Sequence, residues 1–178
     1  FGDRQPGDRP FFQPGSMSPL LARALANLAG ARPDATVLDP MCGTGGILIE
    51  AGIVGADVLG FDAQAKMVRG TRENLAHYLD GGWVVARADA RHLPVCEGAA
   101  VDGVVFDAPY GRQSKITGDL HHVVAGALRE AARVTDRCVV VGDRPWARVA
   151  GDAGWTTRAA VHRPVHRSLT RHVLVLER

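Results

Sequence analysis

Lysine, cysteine and long apolar runs are scarce in this chain. Only Cys42, Cys96 and Cys138 occur in 178 residues, an odd, scattered set without metal-ligand spacing. They read as reduced thiols, which implies a cytoplasmic location and argues against a disulfide scaffold. No stretch approaches the roughly 18 consecutive apolar residues that a membrane helix needs, so no membrane span is expected. No secretory signal opens the chain, which starts Phe-Gly-Asp-Arg-Gln-Pro. An initiator methionine is also missing, so a fragment or trimmed chain is expected. What is present is ordinary for a globular protein: 46% hydrophobic and 22% charged residues, enough for one domain with a real core over 1–178.

The net charge of +2 is uninformative until it is divided. From Arg137 onward there are eight arginines against Asp143, Asp152 and Glu177, a local excess of five positive charges. The rest of the chain therefore carries about three net negative charges. A basic C-terminal third suits an anionic partner such as RNA, although a solvated arginine-rich surface has the same composition.

Residues 1–15 are rich in Gly, Pro and Arg and are expected to be an irregular lead-in. Ser16 reads as an N-cap, with Leu20, Leu21, Leu25 and Leu28 at helical spacing behind it. Short apolar strands are predicted at 36–39, 58–61, 83–86, 101–106 and 138–141. Helices are predicted at 44–52, 64–79, 119–134 and 144–153. Two last strands, 155–161 and 169–176, flank a basic turn. This alternation predicts an α/β, Rossmann-like fold. Its central sheet of about seven strands is mostly parallel, with an antiparallel C-terminal hairpin and helices on both faces.

In such sheets ligands gather at the carboxyl ends of the strands. Asp39, Asp62, Asp89 and Asp107 all fall at or just past predicted strand ends. The loop Asp39-Pro-Met-Cys-Gly-Thr-Gly-Gly46 follows a strand and opens a helix. Its glycines permit a tight turn and close backbone approach. Leu48 stands where a dinucleotide fingerprint needs its third glycine, and no lysine follows as in a triphosphate loop. An acid before the loop repels phosphate but can bind the ammonium of an amino-acid-bearing cofactor. Asp62 can accept two ribose hydroxyls, and Asp89 an adenine amino group. Aspartate is also a common turn and cap residue, and each acid alone has that simpler reading.

Asp107-Ala-Pro-Tyr110 closes the next apolar strand. Pro109 stiffens the loop, so the Asp107 carboxylate and the Ala108 carbonyl can both be aimed at one NH₂ group. Two acceptors on one amine orient its lone pair for attack. Tyr110 offers a stacking face worth about 1–3 kcal/mol to a base.

With these residues in view, the chain resembles the class I S-adenosylmethionine-dependent methyltransferases. More narrowly it is similar to the tRNA guanosine-10 N2-methyltransferase family of archaea and eukaryotes. The likeness runs through Arg9-Pro-Phe-Phe-Gln-Pro-Gly-Ser-Met17, Asp39 to Glu50, Asp107-Ala-Pro-Tyr-Gly-Arg112 and His166-Arg-Ser-Leu-Thr-Arg171. It implies methyl transfer from S-adenosylmethionine to the exocyclic N2 amine of a guanosine in tRNA, with S-adenosylhomocysteine as product and no metal. Phe11, Pro14 and Ser16 would border the methionine end of the cofactor. Asp39, Pro40, Cys42, Gly43, Thr44 and Gly45 would hold its amino-acid side. Asp62 and Ala63 would take its ribose, and Asp89 and Ala90 its adenine. Asp107, Ala108, Pro109 and Tyr110 would form the catalytic loop, Asp107 also bordering the cofactor. The family pattern has proline where Ala108 stands, which suggests a looser loop. The family also carries a THUMP-containing RNA-binding module that this chain lacks, so such a module in cis or a small activating partner is expected.

Arg112, Lys115, Arg163, Arg167 and Arg171 are candidates for RNA phosphates. His162, His166 and His172 have no accompanying acid or thiol, and no metal site is expected of them. Other readings are a DNA adenine-N6 or other amino-methyltransferase, and a catalytically silent RNA-binding subunit with the same fold.

Overall fold

The structure, a computed structural model, describes residues 1–110, 120–166 and 169–178. Five parallel strands form the centre: β1 (Thr36–Asp39), β2 (Asp57–Asp62), β3 (Trp83–Arg87), β4 (Gly103–Asp107) and β5 (Arg137–Gly142). An antiparallel hairpin, β6 (Thr156–His166) with β7 (Leu169–Glu177), completes one edge through β5. The order is β3-β2-β1-β4-β5-β7-β6. The chain leaves β1 in one direction to β2 and β3, then returns to β4 on its other side. That reversal opens a crevice at the carboxyl ends of β1 and β4, where Asp39 and Asp107 stand.

Alternate strand residues face two cores, as the pleat requires. Val37, Val105, Val139 and Val141 pack with α1 (Pro19–Leu28), α2 (Gly46–Ile53) and α3 (Ala65–Tyr78). Leu38, Val104, Phe106 and Val140 pack with α4 (Leu120–Val134) and α5 (Ala147–Asp152). The fold class predicted from the sequence, helices on both faces included, is the one observed. Trp146 and Trp155 are buried in the second core, and the Trp155 indole N–H donates to the Leu128 carbonyl at 2.9 Å.

Local details differ from the sequence reading. Helix α1 starts at Pro19, whose fixed φ suits a first helical position. Ser16 is not its cap; the hydroxyl donates to the Gln13 carbonyl at 2.7 Å. Leu21 and Leu25 are buried, whereas Leu20 and Leu28 stay exposed. Strand β6 extends to His166, past the predicted end at 161, because pairing with β7 rather than burial maintains it. Pro164 is tolerated there because β6 is an edge strand. The predicted start of α4 at Asp119 lies outside the described residues.

Residues 1–15 are not irregular throughout. They contain two 3-10 turns, Gly2–Arg4 and Pro6–Asp8, and are tied down at several points. Arg4 Nε donates to Glu50 Oε1 at 2.9 Å, and Arg23 Nη2 lies 2.9 Å from Glu50 Oε2. Glu50 is fully buried on α2, so a charge that would otherwise be costly meets two cations. The amide of Asn74 clips Phe11 on both sides. Phe11 N–H donates to Asn74 Oδ1 at 2.8 Å, and Asn74 Nδ2 donates to the Phe11 carbonyl at 2.9 Å. The Phe11 ring lies over Gly70 of α3, where an added Cβ would fall 2.0 Å from Cδ1. Gly70→Ala is therefore expected to expel Phe11. Overpacking of about 1–3 kcal/mol exceeds the helix-propensity gain of about 1 kcal/mol. A lower Tm and faster proteolysis within residues 1–15 would show this, and an unchanged Tm would refute it.

Candidate active site

The loop from β1 to α2 is shaped by its own backbone hydrogen bonds. Cys42 N–H donates to the Phe61 carbonyl at 2.9 Å, Gly43 N–H to Asp62 Oδ2 at 3.0 Å, and Gly45 N–H to the Cys42 carbonyl at 2.7 Å. From α3, Thr71 Oγ1 donates to the Gly43 carbonyl at 2.7 Å and Asn74 Nδ2 to the Thr44 carbonyl at 2.8 Å. Gly45 has φ +78°, and a Cβ there would lie 2.8 Å from Thr71 Cγ2, so only glycine fits. Gly43 has φ +54° and faces open space, its nearest obstacle being the Met41 carbonyl at 4.0 Å.

That space is a cavity of about 190 Å³. Of the residues predicted from sequence, it brings together Pro14, Ser16, Asp39, Cys42, Gly43, Thr44 and Asp107. It adds Gln13, Met17 and Met67, which sequence reasoning missed. Met67 carried only the signal of a core position on an amphipathic helix. Phe11, Gly45 and Asp62 are not among the residues that line this cavity. Asp62 accepts Gly43 N–H and, on its other oxygen, Gln64 N–H at 2.8 Å. Pro40, Ala63, Asp89 and Ala90 are also outside this cavity. The Ala63 carbonyl accepts Arg87 Nε at 2.9 Å, and Ala90 belongs to the apolar core. Asp89 is clamped by Arg91, whose Nη2 lies 2.7 Å from Oδ2, and this pairing brings its pKa down to about 2.

Electrostatics mark the cavity as a site for a cation. Asp39 is 2% exposed, and no ion pair reaches it among the described residues. Burial pushes its carboxyl well above the usual carboxylate range, opposed by the Met41 N–H at 3.0 Å and reinforced by Asp62 and Asp107. Burial also raises Asp62 and Asp107. Cys42 is pushed up by burial and then by Asp39, so its thiol stays protonated and is no nucleophile. A cluster of acids around an open glycine turn repels phosphate and suits a positively charged ligand. S-adenosylmethionine, with its sulfonium and ammonium, has the charge and amino-acid portion that this donor set fits.

The catalytic-loop candidates sit at the end of β4. Ala108 N–H donates to the Val141 carbonyl of β5 at 2.8 Å, and its side chain is buried. A proline at 108 would have no N–H for this bond. The alanine therefore ties the loop to the sheet, the opposite of the expected loosening. Tyr110 Oη donates to Asp107 Oδ1 at 2.8 Å, and Arg171 Nε donates to Tyr110 Oη at 3.0 Å. Arg171, expected at a phosphate, is thus engaged by the catalytic loop. A second cavity, about 430 Å³, lies between Gly15, Ser16 and Ser18 of the lead-in and Arg163, Leu169 and Arg171 of the hairpin. It shares Gly15 and Ser16 with the first. Arg112, Lys115 and Arg167 lie outside the described residues. Among the described residues no group of three or more His, Cys, Asp or Glu is arranged to hold a metal. His162 and His172 instead pair with each other, Nδ1 to Nδ1 at 2.8 Å.

This strand order, with a glycine turn after β1 and an acid-proline-tyrosine loop after β4, defines a class I methyltransferase fold. The chain belongs to the family described as RMKL-like, methyltransferase domain, which matches residues 6–172. It is similar to the tRNA (guanine(10)-N2)-dimethyltransferase of Methanothermobacter thermautotrophicus, 40% identical over 183 residues covering 100% of this chain and 54% of the relative. The protein of the same name from Pyrococcus abyssi is 32% identical over 181 residues, covering 99% of this chain and 54% of the relative. Among solved structures, TrmN from Thermus thermophilus matches with a TM-score of 0.77 and 31% identity, over 93% of this chain and 50% of that one. The chain spans about half the length of the curated relatives it matches.

Proposed function

We propose that this domain transfers a methyl group from S-adenosylmethionine to the N2 amine of a guanosine in tRNA. The observation that carries the reading is the convergence of Asp39 and Asp107, from two strand ends, on one acidic cavity beside an open glycine turn. The names of the similar proteins supply the amine and the RNA class.

In this reading Asp39 binds the cofactor's ammonium, and Gly43 and Thr44 hold its amino-acid side. Pro14, Ser16 and Met67 close that end. Asp62 keeps the glycine turn in shape and offers its remaining lone pairs to the ribose. Asp89 and Ala90 lie toward the adenine. The bound cofactor supplies an electrophilic methyl group. Asp107 and the Ala108 carbonyl accept the two N–H groups of the guanine amine and turn its lone pair toward the cavity. The nitrogen's proton becomes acidic once it is alkylated, so no strong base is required. The cleft between lead-in and hairpin admits the target nucleotide, with Arg163 facing its phosphate and Arg112, Lys115 and Arg167 as further candidates. Choice of the tRNA position falls to a THUMP-type module in cis or to a small activating partner. A reducing cytoplasmic setting is part of the proposal and accords with three unpaired cysteines.

Nucleoside mass spectrometry of tRNA from cells with and without the gene tests the reading. Loss of N2-methylguanosine or its dimethyl form is the expected result. An unchanged tRNA profile would reject the tRNA assignment and turn attention to rRNA, DNA and protein.

A further inference from the structure

Arg171 sits on β7 opposite Arg163 of β6, one residue before the His172 that pairs with Gly142 of β5. From there it crosses the end of β5 to the catalytic loop. Its Nε donates to Tyr110 Oη at 3.0 Å, and its guanidinium carbon lies 6.0 Å from the ring centre. A guanidinium can only donate. It therefore occupies a lone pair of the phenol and leaves the phenol's single proton for Asp107 Oδ1, at 2.8 Å. That bond caps one carboxylate oxygen and fixes the side-chain torsion. The other oxygen of Asp107 remains for an incoming amine.

We infer that Arg171 is a positioning residue for methyl transfer, holding Tyr110 so that Asp107 presents one oxygen in a set orientation to the target amine. The inference rests on the methyltransferase reading above and assigns Arg171 to the reaction rather than to an RNA phosphate. Among the described residues four groups bear on Asp107: Asp39 across the cavity, Asp143 past β5, Tyr110 and Arg171. Arg171 is the cation among them. It opposes the burial that favours a protonated Asp107, and a protonated Asp107 could not use both oxygens as acceptors, one for the Tyr110 O–H and one for the amine N–H.

The test compares the wild-type protein with Arg171→Met, Arg171→Lys, Tyr110→Phe and the Met/Phe double variant. Expected for Arg171→Met is a fall in kcat of about 10- to 100-fold with KM for RNA little changed. The acidic limb of its pH profile should move to higher pH. Arg171→Lys should return that limb toward its place while restoring only part of kcat, since lysine lacks the planar Nε donor. The double variant should be no worse than the worse single, because the two residues act as one unit. A raised KM, a salt slope reduced by about one and an intact pH limb would make Arg171 a phosphate contact and overturn the inference. Fully additive losses would overturn it too. Should the wild type transfer no methyl to RNA, the functional reading falls. An NMR titration of the Asp107 carboxyl then decides the positioning role alone. Displacement to higher pH in Arg171→Met supports it, and no displacement overturns it.

Discussion

Asp107→Ala is expected to slow methyl transfer by about 100- to 1000-fold, the cost of deleting one preorganised electrostatic contact to a reacting group. The rest of the site explains why the loss falls on the rate rather than on the fold. Ala108 anchors the loop to β5 through its own amide, so the backbone course survives truncation of the neighbouring side chain. Cofactor affinity should change far less, because Asp39 and the glycine turn remain. The pH profile separates Asp107 from its neighbours. Burial raises its carboxyl above the usual range, with Arg171 and Tyr110 pulling the other way. The ionised form is the better acceptor, so wild-type activity should fall as pH drops through this raised value. Asp107→Asn keeps one acceptor oxygen and loses the titration. It should retain more rate than alanine and show no acidic limb from this group. Single-turnover transfer of labelled methyl across pH is the measurement. An unaltered limb in Asp107→Asn would assign the titration elsewhere.

Asp39→Asn is expected to make the protein more stable and nearly blind to its cofactor. In the folded, cofactor-free state burial raises the Asp39 carboxyl well above its unfolded value. The folded chain thus holds this proton more tightly than the unfolded chain. Below the unfolded pKa both states are protonated and no penalty exists. The penalty grows as pH rises from the ordinary carboxylate range and is complete above the raised folded value. Asparagine removes it while still accepting Met41 N–H, so Tm at neutral pH should rise by about 2–4 °C for each kcal/mol recovered. Affinity for S-adenosylmethionine should fall by about 2–5 kcal/mol, the range for deleting one member of a buried charge pair. Thermal melts and calorimetric titration on the same sample report both effects. A destabilised Asp39→Asn protein, or one with unchanged affinity, would contradict this account.

The strand and helix pattern was legible because the central parallel strands are apolar runs and β1, β2, β4 and β5 are each followed by a helical segment, whereas β3 runs to β4 without one. The acids were legible because the fold places ligands at strand ends. What escaped depends on contacts between distant segments. Ser16 was read both as a helix cap and, from the family resemblance, as a cavity residue; local sequence does not choose between these, because the choice depends on Thr44, whose hydroxyl lies 3.2 Å from its own. Phe11 was read as bordering the cofactor; Gly70 and Asn74 of α3 hold it, and it is not among the residues that line the cavity. Arg171 looked like any arginine in a basic turn, since its link to Tyr110 spans 61 residues. Asp89 kept its place past β3, but Arg91, two residues on, already holds its carboxylate.

The clip made by Asn74 has a practical meaning for anyone trimming this domain. Among the described residues every strand and every α-helix lies after Ser18, so a chain cut there keeps these elements but loses Met17 from one core and Arg4 from buried Glu50. It would lose Gln13, Pro14 and Ser16, and with them one side of the acidic cavity. One wall of the cavity is thus held in part by an asparagine on a helix some sixty residues downstream, so shortening the chain at its start and altering Asn74 should weaken the same site.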